Sequence, residues 1–409
     1  MALPPSPHRL PPHLQPPEQL RRGLRHRFHR LVEDLAVVGG GGPEARDLPY
    51  VLQRGRVDVL VGGLTGQHGR TQRLDAPAHA LSLARPGVPC EDLREGGHRH
   101  PGPTRREDNF MTHPLTVAVL GPGGTGGLLA ALLSRSGHRV ICLAGEATAG
   151  TLRRTGITVR SPQFGDFTAA VDADTELREP VDACLVTVKH TALGPALTRV
   201  PPGVLGDALV VPLLNGVEHP AALRARYRAD RVAPAVIRVE STRIAPGVIE
   251  HGSPFTEIDL AGDAVPRARL DALAAHLTAC GTTARVAGDE TAALWAKMAF
   301  LAPFALLTTR YGVPLGVART RHRDELEALV AETTAVSRAC GAPADPAQAL
   351  ARYDAFPPAA KSSMQRDAEA GRPLELDAIG GALLRAADRH GVPVPVTARL
   401  VRELRDPTR

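Results

Sequence analysis

Aromatic residues, cysteine, lysine and asparagine are all scarce in this chain, and each shortage removes a class of protein from consideration. Aromatics make up 3% of the 409 residues. No basic run is interleaved with them, so the formal charge of +6 does not describe a nucleic-acid surface, which combines clustered cations with stacking platforms. The five cysteines, Cys90, Cys142, Cys184, Cys280 and Cys340, are odd in number, widely spaced and never arranged as CxxC. They read as reduced core thiols of a cytoplasmic protein, not as a disulfide framework. No stretch reaches the roughly 20 uninterrupted apolar residues of a membrane span, and the N-terminus lacks the apolar centre of a signal peptide. A soluble chain with no nucleic-acid, membrane or metal partner is expected.

Of the 49 basic residues only three are lysines, Lys189, Lys297 and Lys361. A chain that defaults to arginine raises the question of what arginine cannot do at those positions. A lysine can lose its proton when burial lowers its pKa, whereas a guanidinium effectively cannot. Asparagine occurs only at Asn109 and Asn215, and Trp295 is the single tryptophan.

What the chain has in excess, 37 prolines and 40 glycines, is unevenly spread. Residues 1–112 open with MALPPSPHRLPPHLQPPEQ, contain a glycine run and end in EGGHRHPGPTRRED, without helical or strand period. Only LVEDLAVV and VDVLVGGL suggest short ordered pieces. The segment reads as a disordered extension or as the product of an early start, with Met111 as the true beginning; prolines argue against a transit peptide. From Leu115 the pattern changes. LTVAVLG is a continuous apolar run, as in a strand buried on both faces of a parallel sheet. GLLAALLSRSGH follows with helical period and a glycine stop, and RVICLAG is a second buried strand. VDACLVTVK and DALVVPLLNG are further strand candidates, and RVAPAVIRVESTRIAPGVIEHG reads as an antiparallel excursion. A doubly wound α/β Rossmann sheet over 113–288 is the economical fold. Beyond Asp289 only helical spacing remains, in DETAALWAKMAFLAPFALLTT, RDELEALVAETTAVSRACG, SSMQRDAEAG and LELDAIGGALLRAADRHG. An all-α domain over 289–409 is predicted.

The chemistry-bearing motif that stands without further support is Gly121-Pro122-Gly123-Gly124-Thr125-Gly126. Its glycines permit a tight turn and a close backbone approach to a pyrophosphate at a helix N-terminus. Its position, after a predicted strand and before a predicted helix, is the context dinucleotide binding requires.

Four further motifs carry a family resemblance. VTVKH at 186–190, PLLNGVE at 212–218, LWAKMAF at 294–300 and SSMQRDAEAGRPLELDAIGG at 362–381 are collinear with those of the ketopantoate reductase (2-dehydropantoate 2-reductase) family, which the chain resembles over about 290 residues. The resemblance implies a Rossmann domain followed by an all-α domain of the 6-phosphogluconate dehydrogenase-like type. It also implies NAD(P)H-dependent reduction of a 2-keto acid, 2-dehydropantoate first among them. By the same resemblance Lys297 is the general acid and Glu375 lies beside it in the substrate site. Asn215 positions the nicotinamide and the lysine, Ser363 binds substrate, and Lys189 lies on the adenosine side of the cofactor; a homodimer is compatible with this picture. Plainer readings exist for each: a surface lysine at 297, a first-turn helix acid at Glu375, an N-cap at Ser363 and a solvated Lys361.

The chain also departs from the family. Leu301, Ala305 and Gly380 stand where asparagines are usual, which predicts a weaker polar grip and a less hydroxylated 2-keto acid. Gly145 replaces a usual arginine that meets the 2′-phosphate of NADP, and Glu146 follows, which favours NAD. NADP is nevertheless expected on family grounds, with NAD the alternative and Arg153 or Arg154 as sources of positive charge. A hydroxy-acid or opine-type dehydrogenase and a non-catalytic dinucleotide-binding protein are the competing functions.

Overall fold

The computed structural model describes residues 50–53, 56–59, 72–74 and 113–406. The chain divides into two compact units, Met1–Thr104 and Arg105–Arg409. In the first, strands β1 (Tyr50–Gln53), β2 (Arg56–Val59) and β3 (Gln72–Leu74) pair antiparallel in that order. The β2 strand covers the start of the predicted piece VDVLVGGL, whereas LVEDLAVV, Cys90, Asn109 and Met111 lie outside the described residues.

The second unit begins as a parallel sheet. Strands β4 (Thr116–Leu120) and β5 (Arg139–Leu143) flank helix α1 (Gly124–Arg135), followed by α2 (Glu146–Thr155). After β6 (Ile157–Arg160) and β7 (Phe167–Ala169) come β8 (Asp172–Asp174), β9 (Ala183–Val186) and β10 (Leu209–Pro212). The sheet order is β10-β9-β4-β5-β8, with every pair parallel. The unbroken apolar run of β4 follows from this: Val117 and Val119 enter the core on one face, Ala118 and Leu120 that on the other. Leu128, Leu129, Leu132 and Leu133 of α1 fill the first core. The helices α3 (Leu193–Leu197), α4 (Pro202–Leu205) and α5 (His219–Arg224) contribute Leu193, Leu197, Leu205 and Leu223 to the second.

The parallel sheet ends at Pro212, earlier than the predicted 288. The rest of this half, β11 (Ala235–Arg238), β12 (Ser241–Ala245), β13 (Val248–His251), β14 (Glu257–Leu260), helix α6 (Arg267–Ala279) and β15 (Thr283–Val286), builds two smaller sheets. The expected antiparallel excursion is present, since β12 pairs antiparallel with β13 and β11 with β14. The β12-β13-β6-β7 sheet lies against α1, so that helix is covered on both sides.

From Glu290 on, the described residues hold helices and no strand. Helix α7 (Glu290–Tyr311) runs through the centre of this part. Asp289 caps it, accepting from Ala292 N at 2.7 Å, and Gly312 ends it at φ +63°. By length and composition α7 would also suit a membrane, but 61% of its apolar window is buried by the rest of the fold. Each fully buried leucine here, such as Leu306 and Leu307, contributes about 1.5–3 kcal/mol. Around α7 pack α8 (Leu315–Arg321), α9 (Arg323–Ala339), α10 (Pro346–Ala355), α11 (Ser363–Glu369) and α13 (Pro395–Arg405), with α12 (Ala382–His390) against α9 and α13. The few aromatics concentrate here: Phe300 stacks on Tyr353 with ring centroids 4.6 Å apart and meets Phe356 at 5.0 Å.

Candidate active site

The glycine-rich turn links β4 to α1 at the C-terminal edge of the parallel sheet. Gly121 takes φ +86°, and a Cβ there would lie 2.4 Å from Val188 Cγ1. At Gly124 and Gly126 a Cβ would fall 2.2 Å from Ser241 O and 2.1 Å from Thr187 Oγ1. Those three glycines are therefore demanded by the fold itself, with Thr187 also donating to Gly121 O at 2.8 Å. Gly123 is different. Its nearest neighbour would be 3.8 Å away, in its own turn, and its φ of −81° suits any residue. As the N-cap of α1 it leaves open space in front of the helix N-terminus, and a close approach there is what a pyrophosphate needs. The residues fit a dinucleotide.

At the ends of β9 and β10, PLLNG and VTVKH meet the C-terminal signature. Gly216, at φ +91°, lets the Asn-Gly turn rest against Ala378, where a Cβ would lie 2.5 Å from the carbonyl oxygen. Asn215 Nδ2 donates to Glu375 Oε2 at 2.9 Å, and His190 N donates to Oε1 of the same carboxylate at 3.0 Å. Glu375 is 7% exposed. Its carboxylate thus serves the Rossmann side of the site, while its backbone carbonyl accepts from Ile379 N at 3.1 Å at the start of the following helical turn. A π-helical turn, Asp377–Gly381, follows directly; such wide turns recur at functional sites.

Lys297 lies on α7 in the apolar stretch Leu294–Phe300. Part of its surface remains accessible, while its ammonium is enclosed. Burial pushes its pKa from the usual lysine range down to about 8; Glu375 opposes the shift and Arg238 adds to it. A lysine poised there is largely charged near neutral pH yet able to release its proton. His219, four residues after Asn215, is fully buried with both ring nitrogens unpartnered. Burial, together with the charges of Lys297, His190 and Arg224, holds it down to about 3, so it stays neutral.

The remaining candidates are distributed as follows. Lys189 Nζ pairs with the buried Asp367 at 2.5 Å, and Arg372 pairs with the same carboxylate at 2.9 Å. Ser363 is exposed as the first residue of α11. Its N-cap reading belongs one residue earlier: Ser362 Oγ accepts from Gln365 N at 3.1 Å and meets Thr308 Oγ1 at 2.9 Å. Lys361 is paired with Glu369 at 2.8 Å rather than merely solvated. Two of the three departures from the family pattern also need correcting. Ala305 is 0% exposed, and a Cβ at Gly380 would lie 2.4 Å from Val401 Cγ2. Both are packed into the helical core, so neither is a missing polar group at the edge of a substrate site; Leu301 alone remains partly accessible. Sequence reasoning passed over His190, His219, Arg238 and Asp367. His190 and His219 stand in or next to quoted motifs, and their polarity at sheet ends was the available signal.

Residues 117–261 match the model of the family described as ketopantoate reductase PanE/ApbA, and residues 289–407 match that of its C-terminal region. A curated 2-dehydropantoate 2-reductase of Caulobacter vibrioides is 31% identical over 294 residues, covering 70% of this chain and 97% of that protein. The crystal structure of 2-dehydropantoate 2-reductase from Geobacter metallireducens is 30% identical, with TM-score 0.64 and coverage of 72% and 100%. The structure of D-mandelate dehydrogenase with NADH and anilino(oxo)acetate has TM-score 0.65, coverage of 70% and 96%, and 20% identity, a likeness of fold alone.

Proposed function

The chain belongs to the ketopantoate reductase family of NAD(P)-dependent oxidoreductases, and on that premise we propose that it reduces a 2-keto acid to the 2-hydroxy acid, with Lys297 as general acid. The observation that carries the reading is the enclosed Lys297, lowered to about 8 and facing Glu375, while Glu375 is held by Asn215 and His190 at the ends of the dinucleotide-binding strands. We assign 113–288 to cofactor binding and 289–409 to substrate binding, with 1–112 outside both.

In this reading the nicotinamide of the bound cofactor supplies a hydride to the ketone carbon. Negative charge then develops on the carbonyl oxygen, and the Lys297 ammonium both stabilises it and gives it a proton. Glu375 keeps the ammonium charged and oriented, and Asn215 fixes Glu375 while positioning the nicotinamide side. Ser363, exposed on α11, offers its hydroxyl to the substrate. Lys189 serves the adenosine side of the cofactor, where its pairing with Asp367 links the helical part to the nucleotide. Gly121 to Gly126 cradle the pyrophosphate.

We propose NADP as cofactor, with NAD the alternative, and 2-dehydropantoate as the first substrate to test in a cytoplasmic enzyme. The partly accessible Leu301, at a usual asparagine position, favours a 2-keto acid with fewer hydroxyls. Turnover of a panel of 2-keto acids, followed by oxidation of NADPH and NADH, tests the proposal. Oxidation with at least one 2-keto acid is expected; cofactor binding without any turnover would leave a dinucleotide-binding protein and refute it.

A further inference from the structure

On the reading that the glycine-rich turn holds a dinucleotide, the ribose next to the adenine lies over the C-terminal end of the second strand, where an acid about 20 residues after the motif meets the 2′-hydroxyl. Glu146 occupies that position, 20 residues after Gly126. It is not free: Arg153 Nη2 donates to its Oε1 at 2.6 Å. Arg153 Nη1 is anchored on the carbonyl of Ala173 in the neighbouring β8 at 3.0 Å. Arg154 lies on the same turn, and a Cβ at Gly150 would be 3.5 Å from its Nη1 and 3.7 Å from Arg153 Nη2. Glu146, Gly150 and the two arginines share one stretch of α2, and both guanidinium groups lie at ordinary contact distance from position 150. Among the described residues no acid pairs with Arg154. One cation is thus paired with the carboxylate and a second lies near it on the same helix, beside Gly145, where a Cβ would meet nothing within 4 Å.

We infer that the Glu146–Arg153 pair is the element that reads the 2′-substituent of the cofactor, with Arg153 as ligand of a 2′-phosphate and Glu146 as ligand of a free 2′-hydroxyl. The Glu146 carboxylate sits on Arg153 as a phosphate would. The pair is open to water, its side chains 44% and 72% exposed, and exposed ion pairs contribute little net stability. A phosphate carrying nearly two negative charges forms stronger, forked bonds with a guanidinium, so it displaces the carboxylate at small cost. With a free ribose the pair persists, and the second carboxylate oxygen accepts from the hydroxyl. The arrangement accommodates both cofactors and replaces the usual family arginine at position 145 with one supplied from two turns further along the helix.

The test measures dissociation constants for NADPH and NADH by fluorescence or calorimetry on the full chain, with Glu146→Gln, Arg153→Ala and Arg153→Gln. Arg153→Gln retains a donor for Ala173 O, and thermal melting checks each variant. Both arginine variants are expected to weaken NADPH at least about 10-fold while moving NADH less than about 3-fold, the sort of selective loss that removal of a charge-assisted contact gives. Glu146→Gln is expected to weaken NADH and to strengthen NADPH. An unchanged NADPH to NADH ratio in folded Arg153 variants overturns the inference while leaving the functional reading intact. A wild-type chain that binds neither dinucleotide overturns both.

Discussion

The pH dependence of turnover is the most direct consequence of the site. If the Lys297 ammonium donates the proton and burial holds its pKa at about 8, activity follows the protonated fraction. That fraction is about nine-tenths at pH 7 and about one-tenth at pH 9, so kcat/KM falls about tenfold between them. A lysine at its ordinary pKa of about 10.4 would lose almost nothing over this range. The carboxylate of a 2-keto acid is ionised throughout, so the substrate adds no transition of its own. Glu375 supplies the opposing charge that keeps the shift from being larger, and Glu375→Gln removes that charge while keeping one acceptor oxygen for either Asn215 or His190. The alkaline limb of that variant should therefore move toward neutral pH. The assay is kcat/KM for the best keto acid from about pH 6 to 10 at saturating cofactor and constant ionic strength. A wild-type limb near 10, or a limb that stays in place in Glu375→Gln, would refute the assignment of Lys297 as an acid tuned by burial and Glu375.

Three further outcomes are expected. Lys297→Ala should lower turnover by about 10² to 10⁴-fold, the usual contribution of a positioned acid, and Lys297→Arg should stay severely slowed because a guanidinium does not give up its proton near neutral pH; near-normal turnover of the arginine variant, with substrate shown to bind, would reduce the lysine to a counter-ion. Gly380→Asn, which restores the family residue, should destabilise the protein by about 1–3 kcal/mol in chemical denaturation, because its Cβ would lie 2.4 Å from Val401 Cγ2; unchanged stability with better use of a hydroxylated substrate would contradict the packing argument. His219 should make the fold acid-sensitive: its pKa is about 3 folded against about 6.5 unfolded, so the unfolded chain takes up a proton first and stability is lost as pH falls below about 6.5. Between pH 7.5 and 5.5 that single group accounts for about 1.4 kcal/mol, and His219→Leu should lose less stability over that interval than the wild type.

Much of the fold was legible because its elements are periodic over long stretches. The β4 run, the α1 period and the capped, glycine-ended α7 each satisfied several local rules at once. Short elements were not. The strand β8 has only three residues, Asp172–Asp174, with a mixed burial pattern, and it is a strand only because β5 and an adjoining helix need an edge partner. Helices α10 and α13 begin with Pro346 and Pro395; a proline suits the first turn of a helix, but these segments were not picked out as helices. The π-helical turn was unreadable in LELDAIGG, where the paired glycines suggest a weak helix and not a wide one. In the site, the resemblance carried positions but not directions: it located Gly380 and Ala305 without revealing that both face the helical core. The Ser362-Ser363 doublet left cap and candidate ligand undistinguished, because one turn of helix separates those roles by a single residue.

The segment 362–381 joins the helical part to the Rossmann strands at several points, and its contacts are unequal. Arg366 pairs with Glu240 through side chains that are accessible on both partners. Just beyond it, Arg385 binds Glu218 at 2.7 Å in similar exposure. Such pairs contribute about 0–1 kcal/mol each and are screened by salt, so they guide docking without locking it. Asp367 and Glu375 are the exceptions, both buried, the first paired with Lys189 and Arg372 and the second bonded to Asn215 and His190. Breaking a buried charge away from its partners costs several kcal/mol, so the firm ties between the two halves are these two carboxylates and the buried Glu290, which Arg224 holds with two bonds. Glu375, whose charge acts on the Lys297 pKa, is therefore also one of the ties between the two halves. A change at Asn215 should disturb both together, whereas loss of an outer pair such as Arg366–Glu240 should loosen closure and leave the lysine pKa where it is.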